Sequence, residues 1–180
     1  MIETKRLILR PFSKSDFNDL YEYLNNPTVN CFKSMQTKTI IDAQKAVDDR
    51  INQELYFAIM LKSNNKVIGE IFAYPDGERD KENCDTYSPC WMLNKDYLGQ
   101  GFGYESAKAF FDYLFKERNA RRLYAYTEDY NIASQKLCEK LGMRREGFFK
   151  EFISFINDEN KNPVYENTYQ YAILKKEWNF

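Results

Sequence analysis

"YLGQGFGYESAKAFF", residues 97–111, sets glycines at alternate positions, Gly99, Gly101 and Gly103, and runs without a break into a helical pattern. Ala107, Phe110, Phe111, Leu114 and Phe115 recur at three- and four-residue spacing, a broad apolar stripe that predicts a helix from Tyr104 onward. Just upstream, Thr86 to Leu93 reads as a strand. A strand, a glycine turn and a helix together favour an anion: the N–H groups of the turn converge, and the first-turn donors of the helix have no partner within it. Glycine adds close main-chain approach and access to positive φ.

Several occupants compete for such a turn. A tight turn with no ligand ordinarily needs one glycine, not three, yet the glycines alone leave it open. A P-loop requires G-x-x-x-x-G-K-[ST], which is absent here, so nucleotide hydrolysis is disfavoured. A dinucleotide fingerprint, G-x-G-x-x-G, would need glycine where Tyr104 stands. Glu128 does supply an acid downstream, but mostly antiparallel strands precede the turn. The pyrophosphate of coenzyme A is the third anionic candidate.

Outward from the turn, the pattern alternates between helical and strand periods. "TKRLILRPF" (residues 4–12) predicts a strand stopped by Pro11. Ser13 opens a capping-box-like start, with Phe17, Leu20, Tyr21 and Leu24 on one helical face, and Ile40, Ala43, Val47 and Ile51 mark a second helix. "YFAIML" and "KVIGEIFAY" form a hairpin turning at Asn64-Asn65, and residues 75–85 read as a charged loop. "RRLYAYT" (121–127) is a strand, and Asn131 to Leu141 is a helix closed by Gly142. "EGFFKEFISFIN" and "VYENTYQYAILKKEW" are two long strands around a turn containing Pro163. The expected class is α/β (α+β): a mixed sheet of about seven strands with about four helices on both faces.

The 180 residues make about one domain, expected to span 1–180 without a linker or repeat. Apolar residues are 43% and aromatic residues 17%, enough for a core, and no run approaches the roughly 20 apolar residues that span a bilayer. The N-terminal "MIETKRLILRPF" has charges inside its only apolar run, unlike a secretory signal, so the expected location is cytoplasmic, without membrane association. Cys31, Cys84, Cys90 and Cys138 form no C-x-x-C pair, so neither a disulfide framework nor a zinc site is expected. A net charge of -1 from 26 basic and 27 acidic residues argues against a nucleic-acid partner. The chain contains 0 histidines, which excludes Ser-His-Asp and Cys-His catalysis and His-bearing metal sites; no metal is expected.

The second half carries a family resemblance. "LGQGFGYESAKAFFDYLF", then a strand, then "NIASQKLCEKLGMRREG" resembles the GNAT acyl-CoA N-acyltransferases, in particular their ribosomal-protein N-terminal acetyltransferase (RimJ/RimL-like) branch. "TKRLILRPF" is similar to that branch's first strand, "VIGEI" to its central hairpin and "ENTYQYAILKKEW" to its last strand. The resemblance implies a splayed sheet, with acetyl-CoA as cosubstrate in a V between the predicted strands at 86–93 and 121–127. It also implies that the backbone of Met92 and Leu93 pairs with the pantetheine arm, that Gly99, Gln100, Gly101, Phe102, Gly103 and Tyr104 surround the pyrophosphate, and that Asn131 and Ser134 line the thioester end. Leu98 stands where the family's turn usually opens with Gln or Arg, and Cys138 where many members carry a tyrosine acid.

The implied reaction moves an acetyl group to a primary amine, a protein N-terminus or a small-molecule amine, by direct attack in a ternary complex. The alternative is a catalytically degenerate module of the same fold that binds CoA or a protein. An α-amine with pKa about 8 is partly neutral at pH 7, whereas a lysine at about 10.4 needs more help. Without histidine, Glu70, Glu128 and Glu151 are the candidate bases, and a backbone N–H around Trp91 to Leu93 is the candidate oxyanion donor. Ser134 is the family-based acid, with Cys138 one helical turn along as its competitor. Gly101 and Gly103 are read as serving close backbone approach, so valine at either is expected to remove CoA binding and leave the fold largely intact. The assembly is expected to be a monomer or homodimer.

Overall fold

The structure, a computed structural model, describes residues 1–76 and 84–180. Its strands are β1 (Ile2–Glu3), β2 (Leu7–Arg10), β3 (Tyr56–Leu61), β4 (Val67–Asp76), β5 (Thr86–Leu93), β6 (Arg122–Glu128), β7 (Arg144–Asn157) and β8 (Pro163–Leu174). The α-helices are α1 (Phe17–Leu24), α2 (Ile40–Ile51), α3 (Phe102–Lys116) and α4 (Ile132–Lys140). The strands make one open sheet in the order β1-β2-β3-β4-β5-β6-β8-β7. Among the described residues only β5 and β6 run parallel; every other neighbouring pair is antiparallel.

Both faces of the central strands are covered, which is why β3 is buried at all six positions instead of alternating. On one face, α3 lays Phe110, Phe111, Leu114 and Phe115 onto Leu7, Leu9, Ile59, Ile68 and Leu123, and Trp178 closes the end of this core. On the other, Leu20, Tyr23 and Leu24 of α1 and Ala43 and Val47 of α2 pack on Tyr56, Phe72 and Met92. Leu20, Leu24, Ala43 and Val47 are positions the helical spacing selects; Tyr23, which it passes over, is also buried, whereas Phe17, Tyr21 and Ile51 are only partly buried and Ile40 is exposed. Thr39 caps α2 by accepting from the Asp42 N–H, and Asp42 accepts in return from the Thr39 N–H.

The structure departs from expectation mostly at element ends. A two-residue strand, β1, precedes the expected first strand and brings the number to eight among the described residues; Thr4 turns the chain between β1 and β2, its Oγ1 accepting from the Leu7 N–H at 2.9 Å. Residues 75 and 76, expected in a loop, continue β4, Pro75 opposite Tyr87 and Asp76 opposite Thr86. The rest of that loop, 77–83, lies outside the described residues. α3 begins two residues before Tyr104, and the final strand ends in a 3-10 turn at Lys175–Glu177. A further 3-10 segment, Asn30–Met35, follows α1 and had no counterpart in the expected elements. Among the described residues, no helix is long and apolar enough to cross a membrane.

Candidate active site

The site begins with a failure of strand pairing. β5 and β6 pair only at Thr86–Arg122 and Tyr87–Leu123; beyond Tyr87 they diverge. The divergence opens a cleft of about 400 Å³, walled by Trp91, Met92 and Leu93 of β5, the glycine turn, Asn131, Ala133 and Ser134 at the start of α4, and Thr28, Val29, Cys31 and Phe32. Gly69 lies directly beside β5: a Cβ there would overlap the Met92 carbonyl oxygen, so the close backbone approach that its position in β4 suggests is present.

Gly99, Gly101, Phe102, Gly103 and Tyr104 all line the cleft mouth. Gly99 and Gly101 have φ of 73° and 82°, the left-handed region, and Gly101 is the N-cap of α3. The first helical bond runs from the Glu105 N–H to the Gly101 carbonyl at 3.1 Å, so the donors before it have no intrahelical partner. Arg6 braces the turn from β2: its Nη1 donates to the Gln100 carbonyl at 3.0 Å, its Nε donates to Glu105 at 2.7 Å, and its guanidinium lies 4.2 Å over the Phe102 ring. Gln100 itself is not among the lining residues; its side-chain Nε2 donates to the Asp96 carbonyl. Lys136 and Lys140 of α4 supply positive charge to the same cleft.

One expectation is corrected here. Gly101 is not needed for close approach alone, because any L side chain at φ 82° strains the backbone, so valine there damages the fold as well. Gly103 has no such φ; a Cβ there would meet Leu93 Cδ1 at 3.3 Å, inside the cleft wall.

Asn131 caps α4, its Oδ1 accepting from the Ser134 N–H at 3.2 Å while its Nδ2 reaches Glu128 Oε2 at 3.5 Å. Ser134 therefore contributes its amide, not its hydroxyl, to the cap, and it lines the cleft. Cys138 does not join it: the thiol is fully buried in the α3–α4 core, and that burial pushes it up to about 12. One helical turn was enough to carry it from the cleft wall into the packing layer.

The carboxylates separate sharply. Glu70 is 0% exposed on the α1–α2 face and takes donors from Arg50 Nε at 2.7 Å, Arg50 Nη2 at 3.0 Å, and the hydroxyls of Tyr23 and Tyr56, each at 3.1 Å. Burial, and then the Glu70 charge, hold both tyrosines well above their ordinary range, fully protonated. Glu70 thus ties α1, α2 and β3 to β4, outside the lining of the cleft. Glu151 is exposed on β7. Glu128, at the end of β6, is buried directly behind Asn131. Burial and the adjacent Glu128 carboxylate raise the Cys31 thiol.

The wall contributed by Thr28 to Phe32 carries no motif, so spacing does not announce it. Lys136 and Lys140 were also missed in the sequence, although their spacing of four on one helix face was a signal that could have found them.

The sequence profile of the acetyltransferase (GNAT) domain matches residues 6–144. The chain belongs to the GNAT acetyltransferase family. It is 35% identical over 180 residues to the uncharacterized N-acetyltransferase YnaD of Bacillus subtilis (strain 168), covering 99% of each chain. The crystal structure of a GNAT-family acetyltransferase from Bacillus anthracis superposes with a TM-score of 0.85 at 30% identity, covering 98% of this chain and 99% of that one. RimL, a ribosomal L7/L12 alpha-N-protein acetyltransferase solved with coenzyme A, superposes at 0.74 over 95% of each chain; at 16% identity it shares the fold. The GNAT membership makes this protein an acyltransferase, and the expected splayed sheet with helices on both faces is the GNAT fold.

Proposed function

We propose that this GNAT enzyme, a single domain over residues 1–180 working in the cytoplasm, transfers the acetyl group of acetyl-CoA to a primary amine, as the RimJ/RimL-like branch does. The observation that carries the reading is the opening of β5 from β6 beyond Tyr87, with the α3 N-terminus at the mouth of the gap. The residues present suit acetyl-CoA. The unpaired edge of β5 at Met92 and Leu93 offers main-chain groups to the pantetheine amides, in the manner of an added strand. The amides of the Gly99–Tyr104 turn and the α3 N-terminus, with Lys136 and Lys140, suit the pyrophosphate.

Acetyl-CoA supplies an activated thioester; the chain's own residues supply position and proton traffic. The amine nitrogen forms its bond to the carbonyl carbon as the C–S bond breaks. Glu128, held by Asn131, takes a proton from the amine, directly or through water, since Glu70 is saturated by Arg50 and two tyrosines. A backbone N–H of Trp91 to Leu93 polarises the carbonyl. The Ser134 hydroxyl, which the cap leaves unused, returns a proton to the departing sulfur. Positioning of two substrates accounts for most of the acceleration.

Calorimetry with acetyl-CoA and CoA tests the first half, and thiol release across N-terminal peptides, polyamines and aminoglycosides tests the second. Absence of CoA binding by the folded protein defeats the reading. Tight CoA binding with no turnover on any amine favours the degenerate module.

A further inference from the structure

Behind the cleft wall, three polar side chains share one face of the sheet. Glu128 of β6 stands opposite Thr168 of β8, and Thr168 stands opposite Phe149 of β7. Glu166, two residues before Thr168, faces the same way. All three polar residues are deeply buried, at 6%, 3% and 7% exposure for Glu128, Thr168 and Glu166. Thr168 Oγ1 has no hydrogen-bond partner among the described residues, and buried hydroxyls in folded proteins ordinarily have one. Glu166 accepts from the Asn30 side-chain amide and from the Tyr130 hydroxyl at 3.2 Å, and Glu128 from Asn131. Among the described residues neither carboxylate has a Lys or Arg partner, in contrast to Glu70, which has Arg50. Two buried carboxylates without a basic partner among the described residues and an orphan hydroxyl therefore share one face of two neighbouring strands, a set of acceptors suited to a cation with several N–H donors.

The same face continues into rings. Tyr126, two residues before Glu128, lies 5.4 Å from Phe152 and 6.3 Å from Phe149, with Phe149 and Phe152 5.0 Å apart. All three are exposed, a shelf beside the carboxylates. Asn131, which lines the cleft, reaches Glu128 at 3.5 Å, and Cys31 of the same lining sits against that carboxylate, so the cluster adjoins the cleft.

We propose that Glu128, Thr168 and Glu166 form the acceptor subsite, and that the acceptor is a primary ammonium joined to an apolar or aromatic body that rests on Tyr126, Phe149 and Phe152. The inference rests on the acetyltransferase reading for the neighbouring cleft. The three ammonium hydrogens match the three acceptors: both carboxylates and Thr168 Oγ1. A polycation without an apolar body would leave the shelf unused.

The test uses phenethylamine, cationic at pH 7, and 2-phenylethanol, its uncharged counterpart, titrated calorimetrically into the full chain with and without saturating CoA. Phenethylammonium is expected to bind at least about tenfold more tightly than the alcohol. Glu166→Gln should weaken it about tenfold and Thr168→Val several-fold, with 2-phenylethanol unaffected. No binding of phenethylammonium, equal binding of the two probes, or unchanged affinity in both variants overturns the inference. Thr168→Val keeps the side-chain shape, so it decides the matter should Glu166→Gln fail to fold. CoA titrated alone separates the two ideas: its failure to bind sinks the acetyltransferase reading, whereas CoA binding without amine discrimination sinks only this subsite.

Discussion

Gly69 of β4 lies so close to Met92 of β5 that a methyl group on it would come within 2.2 Å of the Met92 carbonyl oxygen. The backbone of β5 is therefore seated by an absent side chain. Gly69→Ala should cost about 1–3 kcal/mol of stability, because the oxygen it meets is main chain and cannot swing aside. It should also weaken CoA binding, since Met92 and Leu93 would shift with the strand. Urea unfolding and calorimetry read the two effects, and a lower midpoint with unchanged CoA affinity would detach Gly69 from the cleft.

The turn glycines should behave differently from one another. Gly101→Ala places a side chain at φ 82° and should lower stability by about 1–2 kcal/mol. Gly103→Ala has a helical backbone and should hold its melting temperature, while its methyl, 3.3 Å from Leu93 Cδ1, narrows the cleft and lowers CoA affinity. Thermal melts paired with CoA titrations make the comparison; equal losses of stability in both variants would contradict it.

Glu70→Gln leaves Arg50 buried without its counter-charge and should cost about 3–5 kcal/mol. The protein that remains folded should acetylate at a rate of the same order as the parent. A collapse of turnover in a fully folded Glu70→Gln variant would restore Glu70 to the candidate bases.

How legible all this was in the sequence depended on what each residue had to do. Helices α2 and α3 follow directly from apolar spacing, and Gly142 ends α4 with a φ of 78°, because one-dimensional periodicity is enough for elements that pack one face. The glycine turn was readable for the same local reason. Glu70 and Glu128 were not separable: each is a carboxylate on a strand, and only three-dimensional packing puts Arg50 against one and Asn131 against the other. The wall from Thr28 to Phe32 was silent because it reaches the cleft through tertiary contacts, Asn30 to Glu166 and Tyr130 among them, across more than half the chain.

Ser134→Ala should lower kcat by about 10²-fold with CoA affinity retained, as expected of a proton donor whose amide alone is structural. Cys138→Ser should leave kcat nearly unchanged. Unaffected turnover in Ser134→Ala together with a large loss in Cys138→Ser would exchange their roles.

Burial pushes the Cys90 and Cys138 thiols up to about 12, so at pH 8 only about one molecule in 10⁴ carries either thiolate, and iodoacetamide should spare both until the chain unfolds. The unfolded thiols ionise first as pH rises past their ordinary value of 9.0, so this contribution to stability is complete below 9.0 and is lost between there and about 12. Alkylation followed by mass spectrometry, with urea melts at pH 8 and 10, checks both; rapid native labelling at pH 8 would contradict the burial.

An ordinary open sheet has two rims, and both face outward. The parting of β5 from β6 after two residue pairs gives this one an extra pair of rims in its interior, roofed by α3 and α4 on one side and by the Asn30–Met35 segment on the other. Main-chain edges that would be an aggregation hazard on the outside are enclosed here, so the gap is a slot within the sheet instead of a seam open to other chains.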